Sequence, residues 1–271
     1  MTICFCTANN KESIMPRLRG PAIELPPPNQ RWALLNEAIY GEPLLGGHHR
    51  EPLDSTYPWS WEKAFGRHAP LMLEVGFNRG RFITELAQRH PDRNVVGIEI
   101  RRRYGIRLTH QCGLNDDPKN LRIIWGDAKI LLPKLFGTGS LSDMFVTFPD
   151  PWWKKRHVKR RLVDTNFAAE ISEKLKEGGY IWVKSDVAMI AEEIKEALVA
   201  RPELSELVSF EQDDLPLTHR ERSCIKKGLP IHRFRLTRNS LPFTGYFEDA
   251  TVESNLESKS TLDSDSDHNQ E

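Results

Sequence analysis

Leu71-Met72-Leu73-Glu74-Val75-Gly76-Phe77-Asn78-Arg79-Gly80 decides the fold. Five largely apolar residues without polar alternation read as a strand covered on both faces. Arg81 to His90 then carries a helical apolar spacing. Between strand and helix, Gly76 and Gly80 let the backbone turn sharply and approach a ligand closely. Asn78 holds the middle place of the three-glycine form of this turn, and asparagine tolerates the positive φ required there. Glycines in a strand–helix turn also serve purely structural ends, so the turn alone does not identify a ligand.

The same alternation runs outward along the chain. Asn94 to Ile100 reads as a β-branched strand, Arg101 to Leu114 as a helix, Leu121 to Trp125 as a strand, Ala128 to Leu135 as a helix and Asp143 to Phe148 as a strand. Asn166 to Lys176 reads as a helix closed by Gly178-Gly179 as its C-cap. Tyr180 to Lys184 is a strand, Val187 to Ala200 a helix, and Leu207 to Phe210 and Ile231 to Leu236 are two late strands. Apolar strands alternating with helices imply an α/β fold: a doubly wound, mostly parallel, seven-stranded sheet with helices on both faces. Such sheets bind ligands beyond the carboxyl ends of their strands, so the chemistry belongs after Val75, Glu99, Trp125, Phe148 and Lys184.

Outside this core the chain changes character. Residues 1–69 are expected to form an N-terminal arm: irregular and Pro-rich to residue 30, helical over 31–40 with Trp32, Leu35 and Ile39 on one face, and loop over 41–70. Residues 70–240 form the main domain, and residues 248–271 an acidic disordered tail. The 271-residue chain has zero formal charge, but the tail holds eight acids and one lysine, leaving 37 basic against 30 acidic residues before it. A basic body with an acidic tail suits a polyanionic partner; a solvated surface is the plainer alternative. Four cysteines, Cys4, Cys6, Cys112 and Cys224, show no metal-ligand spacing and no disulfide framework, so no metal and a cytoplasmic location are expected. No apolar run approaches the ~20 residues that span a bilayer.

Three strand ends carry acids. Glu99 stands about twenty residues beyond the glycine turn, where a carboxylate can accept both ribose hydroxyls; pairing with Arg101 or Arg102 is the alternative. Asp127 serves equally as a helix N-cap or as acceptor for an adenine amine. The fourth end is Phe148-Pro149-Asp150-Pro151-Trp152-Trp153-Lys154-Lys155-Arg156-His157-Val158-Lys159-Arg160-Arg161. Its prolines set two φ angles and drive Phe148 and Asp150 out of helical geometry, holding the Asp150 carboxylate rigidly. The tryptophans offer faces for a base, or belong to the core. Six of the ten residues from 152 to 161 are Lys or Arg, a grip for phosphates. A dehydrogenase would share the glycine turn and Glu99 but would give Asp127, Asp150 and the basic run no purpose. No Walker-type phosphate loop and no G-x-S-x-G are present. A nucleoside-like ligand such as S-adenosylmethionine fits better than a dinucleotide.

At this point the sequence resembles the bacterial tRNA (guanine-N7)-methyltransferases. The resemblance rests on Glu74-Val75-Gly76-Phe77, Gly97-Ile98-Glu99, Asn120-Leu121-Arg122, Gly126-Asp127-Ala128, the block from Phe148 to Arg161, Ser185-Asp186 and Thr218-x-x-Glu221. It covers residues 70 to 238. It implies a Rossmann-like methyltransferase that modifies guanine 46 in the tRNA variable region with S-adenosylmethionine. Glu74, Glu99 and Asp127 would bind that cofactor, with Gly76 and Gly80 shaping the turn. Asp150 would stand between cofactor and guanine as the catalytic carboxylate. Lys154, Asp186, Thr218 and Glu221 would contact substrate, and Lys155, Arg156, Lys159, Arg160 and Arg161 would hold RNA. Asp150 and Asp186 both remain candidates for the guanine edge. Asn78 and Ser185 replace the glycine and threonine usual in that family, and Thr218-His219-Arg220-Glu221 keeps only the outer residues of its motif. A monomer or a homodimer is expected. The competing readings are a methyltransferase on another RNA position or a protein, and a non-catalytic RNA-binding module of the same fold.

Overall fold

The computed structural model describes residues 24–47, 50–53, 59–207 and 215–246. The first 23 residues, the acidic tail and most of the expected strand 207–210 lie outside them. Seven strands form one sheet: β1 (Leu71–Val75), β2 (Asn94–Glu99), β3 (Leu121–Trp125), β4 (Leu141–Thr147), β5 (Leu175–Ser185), β6 (Leu204–Glu206) and β7 (His232–Arg238). Their order is β3-β2-β1-β4-β5-β7-β6. Strands β1 to β5 run parallel, and β7 pairs antiparallel with both β5 and β6. The order reverses between β1 and β4, so the carboxyl ends of these two strands flank the crevice where such sheets bind ligands.

Eight α-helices complete the described chain: α1 (Asn36–Tyr40), α2 (Trp61–Phe65), α3 (Arg81–Arg89), α4 (Arg102–Asn115), α5 (Ala128–Leu135), α6 (Thr165–Lys174), α7 (Ala188–Val199) and α8 (His219–Lys227). Two apolar clusters sandwich the sheet. One takes Leu71, Leu73 and Val75 with α5, α6 and α7; the other takes Met72, Val95 and Phe145 with α3 and α4. Successive side chains of a strand leave opposite faces, so a strand with both faces covered must be apolar throughout, as β1 is apart from Glu74. On the α3 side the Phe145 ring meets Phe82 edge-on at 5.3 Å and stacks on Trp182 at 6.2 Å.

Three sequence expectations need correction. The helix expected over 31–40 is confined to α1. Leu35 N donates to Ile123 O and Ile123 N to Ala33 O, so the open edge of β3 recruits the arm as a strand-like partner. Inside the stretch read as loop, α2 forms with Ser60 as its N-cap, and the Trp61 ring stacks on Phe136 at 4.9 Å. Gly178-Gly179 does not cap a helix. α6 ends at Lys174, and the pair lies inside β5, where Gly178 takes φ +73° and a Cβ on Gly179 would come within 2.8 Å of Ser142 O. The glycines serve an irregular register against β4, where Leu141 faces Leu175 but Asp143 faces Tyr180.

The arm is tied down by Asn36, which is fully buried. Its Nδ2 donates to Trp125 O at 2.8 Å and to Leu45 O, and its Oδ1 accepts from Trp125 N at 2.9 Å. The far end is held by fully buried Arg201, which pairs with Glu203 at 2.9 Å and donates to Gly245 O at 2.8 Å.

Candidate active site

A cavity of about 570 Å³ opens at the carboxyl ends of β1 to β4. Its walls include Gly76, Asn78, Glu99, Asp127, Asp150 and Trp152. Gly76 takes φ +81° with open space where a side chain would stand, which leaves room for a ligand against the backbone. Asn78 takes φ +50°, so the turn keeps its course without a third glycine. Gly80 sits at φ +78° ahead of α3, and a Cβ there would lie 2.6 Å from Leu108.

Glu99 is buried, and its carboxylate is fixed by two backbone donors. Oε2 accepts from Asn78 N and Oε1 from Arg101 N, both at 2.8 Å. Neither oxygen is saturated, since each carries two lone pairs. Burial raises the Glu99 pKa against those two hydrogen bonds. Asp127 caps α5, its Oδ1 accepting from Lys129 N at 3.0 Å, while also lining the cavity; the two readings of this residue are compatible.

Asp150 stands at the mouth. Its prolines act differently from expectation on one side: Phe148 leaves the right-handed helical region by taking φ +51°, not by extending, and Trp152 takes φ +42°. Phe148 N donates to Lys184 O at 2.7 Å, which joins the loop to β5. Asp150 Oδ2 accepts from Arg101 Nη2 at 2.5 Å, so an ion pair spans the mouth from the end of β2 to the end of β4.

Below the cavity runs a row of polar side chains on the α3 face of the sheet. Glu74, Thr147 and Lys184 occupy adjacent strands, and Arg233 lies opposite Lys184 in register. Glu74 is buried; Oε1 accepts from Thr147 Oγ1 at 3.0 Å, and Oε2 has no partner. Lys184 Nζ donates to both oxygens of fully buried Glu221, at 3.1 and 3.0 Å, and Arg233 Nη2 reaches Glu221 at 3.1 Å.

Burial outweighs the Thr147 hydrogen bond and pushes the Glu74 pKa from 4.5 up to about 8. The folded protein thus holds a proton that the unfolded chain releases above its own pKa. Stability attributable to this group falls as pH climbs from about 4.5 to about 8 and levels off beyond. In Glu74→Gln the isosteric amide cannot ionise. Its melting temperature should decline less than that of the parent across this window, so that the difference moves in favour of the variant. Parallel melting curves against pH would show that another group is responsible.

Glu99, Asp127, Asp150 and Gly76 therefore share one cavity, with Glu74 beneath its floor. Lys159 and Arg160, read from sequence as RNA contacts, also line it. Lys154, Asp186, Thr218 and Glu221 do not. Asp186 pairs with Arg220; Thr218 and Glu221 form a capping box at the start of α8. That helix start still lies at the same end of the sheet, since Arg79 of the glycine turn approaches His219 at 3.4 Å. Arg161 is engaged by Glu193 and donates to Pro151 O at 3.2 Å, bracing the basic segment. Sequence reading missed Lys184 and the Arg101–Asp150 pair. Lys184 had a signal: a cation inside an apolar strand must find a buried partner.

A family model described as "Putative methyltransferase" matches residues 68–234. A tRNA (guanine-N(7)-)-methyltransferase of Synechococcus sp. (strain JA-3-3Ab) is 35% identical over 202 residues, covering 70% of this chain and 84% of the relative. The chain belongs to the tRNA (guanine-N(7)-)-methyltransferase family. A second member of the family, from Synechococcus sp. (strain JA-2-3B'a(2-13)), is 33% identical over 234 residues, covering 80% of this chain and 93% of that protein. Among solved structures, the 16S rRNA methyltransferase KamB aligns at 12% identity and a TM-score of 0.49, covering 72% of this chain and 98% of that one. No helix among the described residues is long and apolar enough to cross a membrane.

Proposed function

We infer that this protein transfers a methyl group from S-adenosylmethionine to N7 of a guanine in tRNA, at position 46 of the variable region. The observation that carries the reading is Asp150, a rigidly held carboxylate at the mouth of a nucleoside-sized cavity, beside a basic segment. Family membership supports the same reaction. The cofactor fits the residues present. Glu99 has lone pairs free for two ribose hydroxyls, Asp127 would accept from an adenine amine, and Gly76 would leave room for the rest of the cofactor against the backbone. The unpartnered Oε2 of Glu74, on a carboxyl that burial keeps protonated, is a buried polar atom beneath the floor with which a polar group of the cofactor could hydrogen-bond. When bound, S-adenosylmethionine supplies a methyl group already activated by a sulfonium.

The residues of the chain then have two tasks. N7 carries a lone pair and no proton, so no general base is needed, and alignment of N7 with the methyl carbon is the first task. The second is charge. As N7 gains the methyl group the purine becomes cationic, and its N1–H and N2–H groups become stronger donors. A carboxylate accepting from that edge binds the transition state more tightly than the substrate. Asp150 suits this role better than Asp186, because both are paired with an arginine but only Asp150 lines the cavity. No metal is assigned to the reaction. Buried free thiols at Cys112 and Cys224 support a reducing cytoplasm.

The decisive assay incubates the protein with unmodified tRNA transcript and tritiated methyl donor, then cleaves the RNA chemically at N7-methylguanosine. Label at a single variable-region guanine is expected. Label elsewhere, or on protein, would establish one of the competing reactions instead.

A further inference from the structure

The two adjacent tryptophans of the basic segment are in opposite situations. The Trp152 ring is engaged: His157 meets it edge-on at 5.6 Å, and the Arg160 guanidinium lies 5.2 Å from its centre. Trp153 is 66% exposed, the most of any large apolar side chain described here, and no described ring or cation packs on it. Its surroundings are charged and open. Lys154, Lys155 and Arg156 follow it, all exposed, and none has an ion-pair partner among the described residues. The backbone that carries it is nonetheless well braced. Arg161 Nε donates to Pro151 O, His157 N donates to Lys154 O at 2.7 Å, and a 3-10 helix spans Lys155–Arg160. A rigid loop thus presents one indole face to solvent amid three cations.

We propose that Trp153 is a stacking platform for an unpaired nucleobase of the tRNA, next to the guanine that enters the cavity. An exposed indole forgoes the burial that normally places tryptophan inside, and an aromatic face among phosphate-binding cations is the chemistry that holds an unstacked nucleotide. A duplex, whose bases are stacked on each other, offers this ring nothing. Trp153 therefore selects RNA in which the neighbourhood of the target is splayed open, and it helps to keep that base out while Asp150 meets the guanine. This rests on the tRNA reading above.

The test compares wild type, Trp153→Ala, Trp153→Phe and Trp153→Leu. It measures affinity for unmodified tRNA transcript and for a blunt RNA duplex at one salt concentration, with methyl transfer by wild type recorded on the same samples. Stacking predicts roughly 5- to 150-fold weaker tRNA binding by the alanine variant. The phenylalanine variant should recover most of that affinity. The leucine variant, with apolar bulk but no π face, should not. Duplex affinity and the salt slope of tRNA binding should change little, since no charge is lost. Unchanged tRNA affinity in Trp153→Ala, an equal loss on duplex, or rescue by leucine overturns the proposal. If the alanine variant does not fold, the phenylalanine and leucine pair decides alone. Wild type that methylates tRNA while these variants bind equally removes only the stacking role. Wild type that neither binds nor methylates tRNA removes both readings.

Discussion

Replacing Asp150 with alanine is expected to leave a folded protein that transfers methyl groups to tRNA at a small fraction of the wild-type rate. The side chain is about half exposed and its one described partner is Arg101, itself exposed, so the fold loses little with it. The reaction loses more. Without the carboxylate, the mouth of the cavity loses the acceptor that answers the positive charge developing on the purine. Removing one such electrostatic contact from a preorganised site costs on the order of 10²–10³ in rate. Asp150→Asn separates charge from shape: the amide keeps the size and one acceptor but not the negative charge. It should remain closer to alanine than to wild type. The readouts are single-turnover methyl transfer, melting temperature, and cofactor affinity by calorimetry. Near-normal turnover in Asp150→Ala would refute the role. Loss of turnover through loss of cofactor binding alone would move Asp150 from guanine recognition to cofactor retention.

The second large effect concerns salt. Lys154, Lys155, Arg156 and Lys159 are exposed in one short segment without acidic partners among the described residues. If these four neutralise four phosphates, the logarithm of the affinity falls with a slope of about −3 against the logarithm of salt concentration. Between 50 and 200 mM salt this is roughly a 10²-fold loss of tRNA affinity. Changing all four to glutamine should flatten the slope by about that amount and weaken binding at low salt most. Arg161 is left out of the set because Glu193 already holds it. A flat salt response in wild type would sink the assignment of this segment to phosphates.

The sheet was legible because its strands are so continuously apolar. Leu71 to Val75 and Leu121 to Trp125 appear at their expected bounds, and the acids at the strand ends fall where a doubly wound sheet must put them. What escaped the sequence depended on partners far along the chain. Residues 31–40 have a helical apolar spacing, yet over residues 33–35 the unsatisfied edge of β3 is a stronger claim on the backbone than a local helix. Gly178 and Gly179 have the composition of a helix stop, yet the irregular approach of β5 to β4 requires them. Glu221 carries a motif read as substrate contact, but the identity of its buried partners, Lys184 and Arg233, is a matter of sheet register that spacing does not reveal. Similarly, nothing local in Arg101-Arg102-Arg103 marks the first arginine as the partner of Asp150.

The two left-handed residues that bracket Pro149-Asp150-Pro151 set stability against rate within five positions. A non-glycine residue in that region costs roughly 1–2 kcal/mol. Phe148 and Trp152 both bear that cost to hold one carboxylate at the cavity mouth. Glycine at either position would relax the backbone and also free the acid to wander. Thermostabilisation of this enzyme is therefore best sought elsewhere, and a variant selected only for heat resistance is apt to change this loop and lose activity.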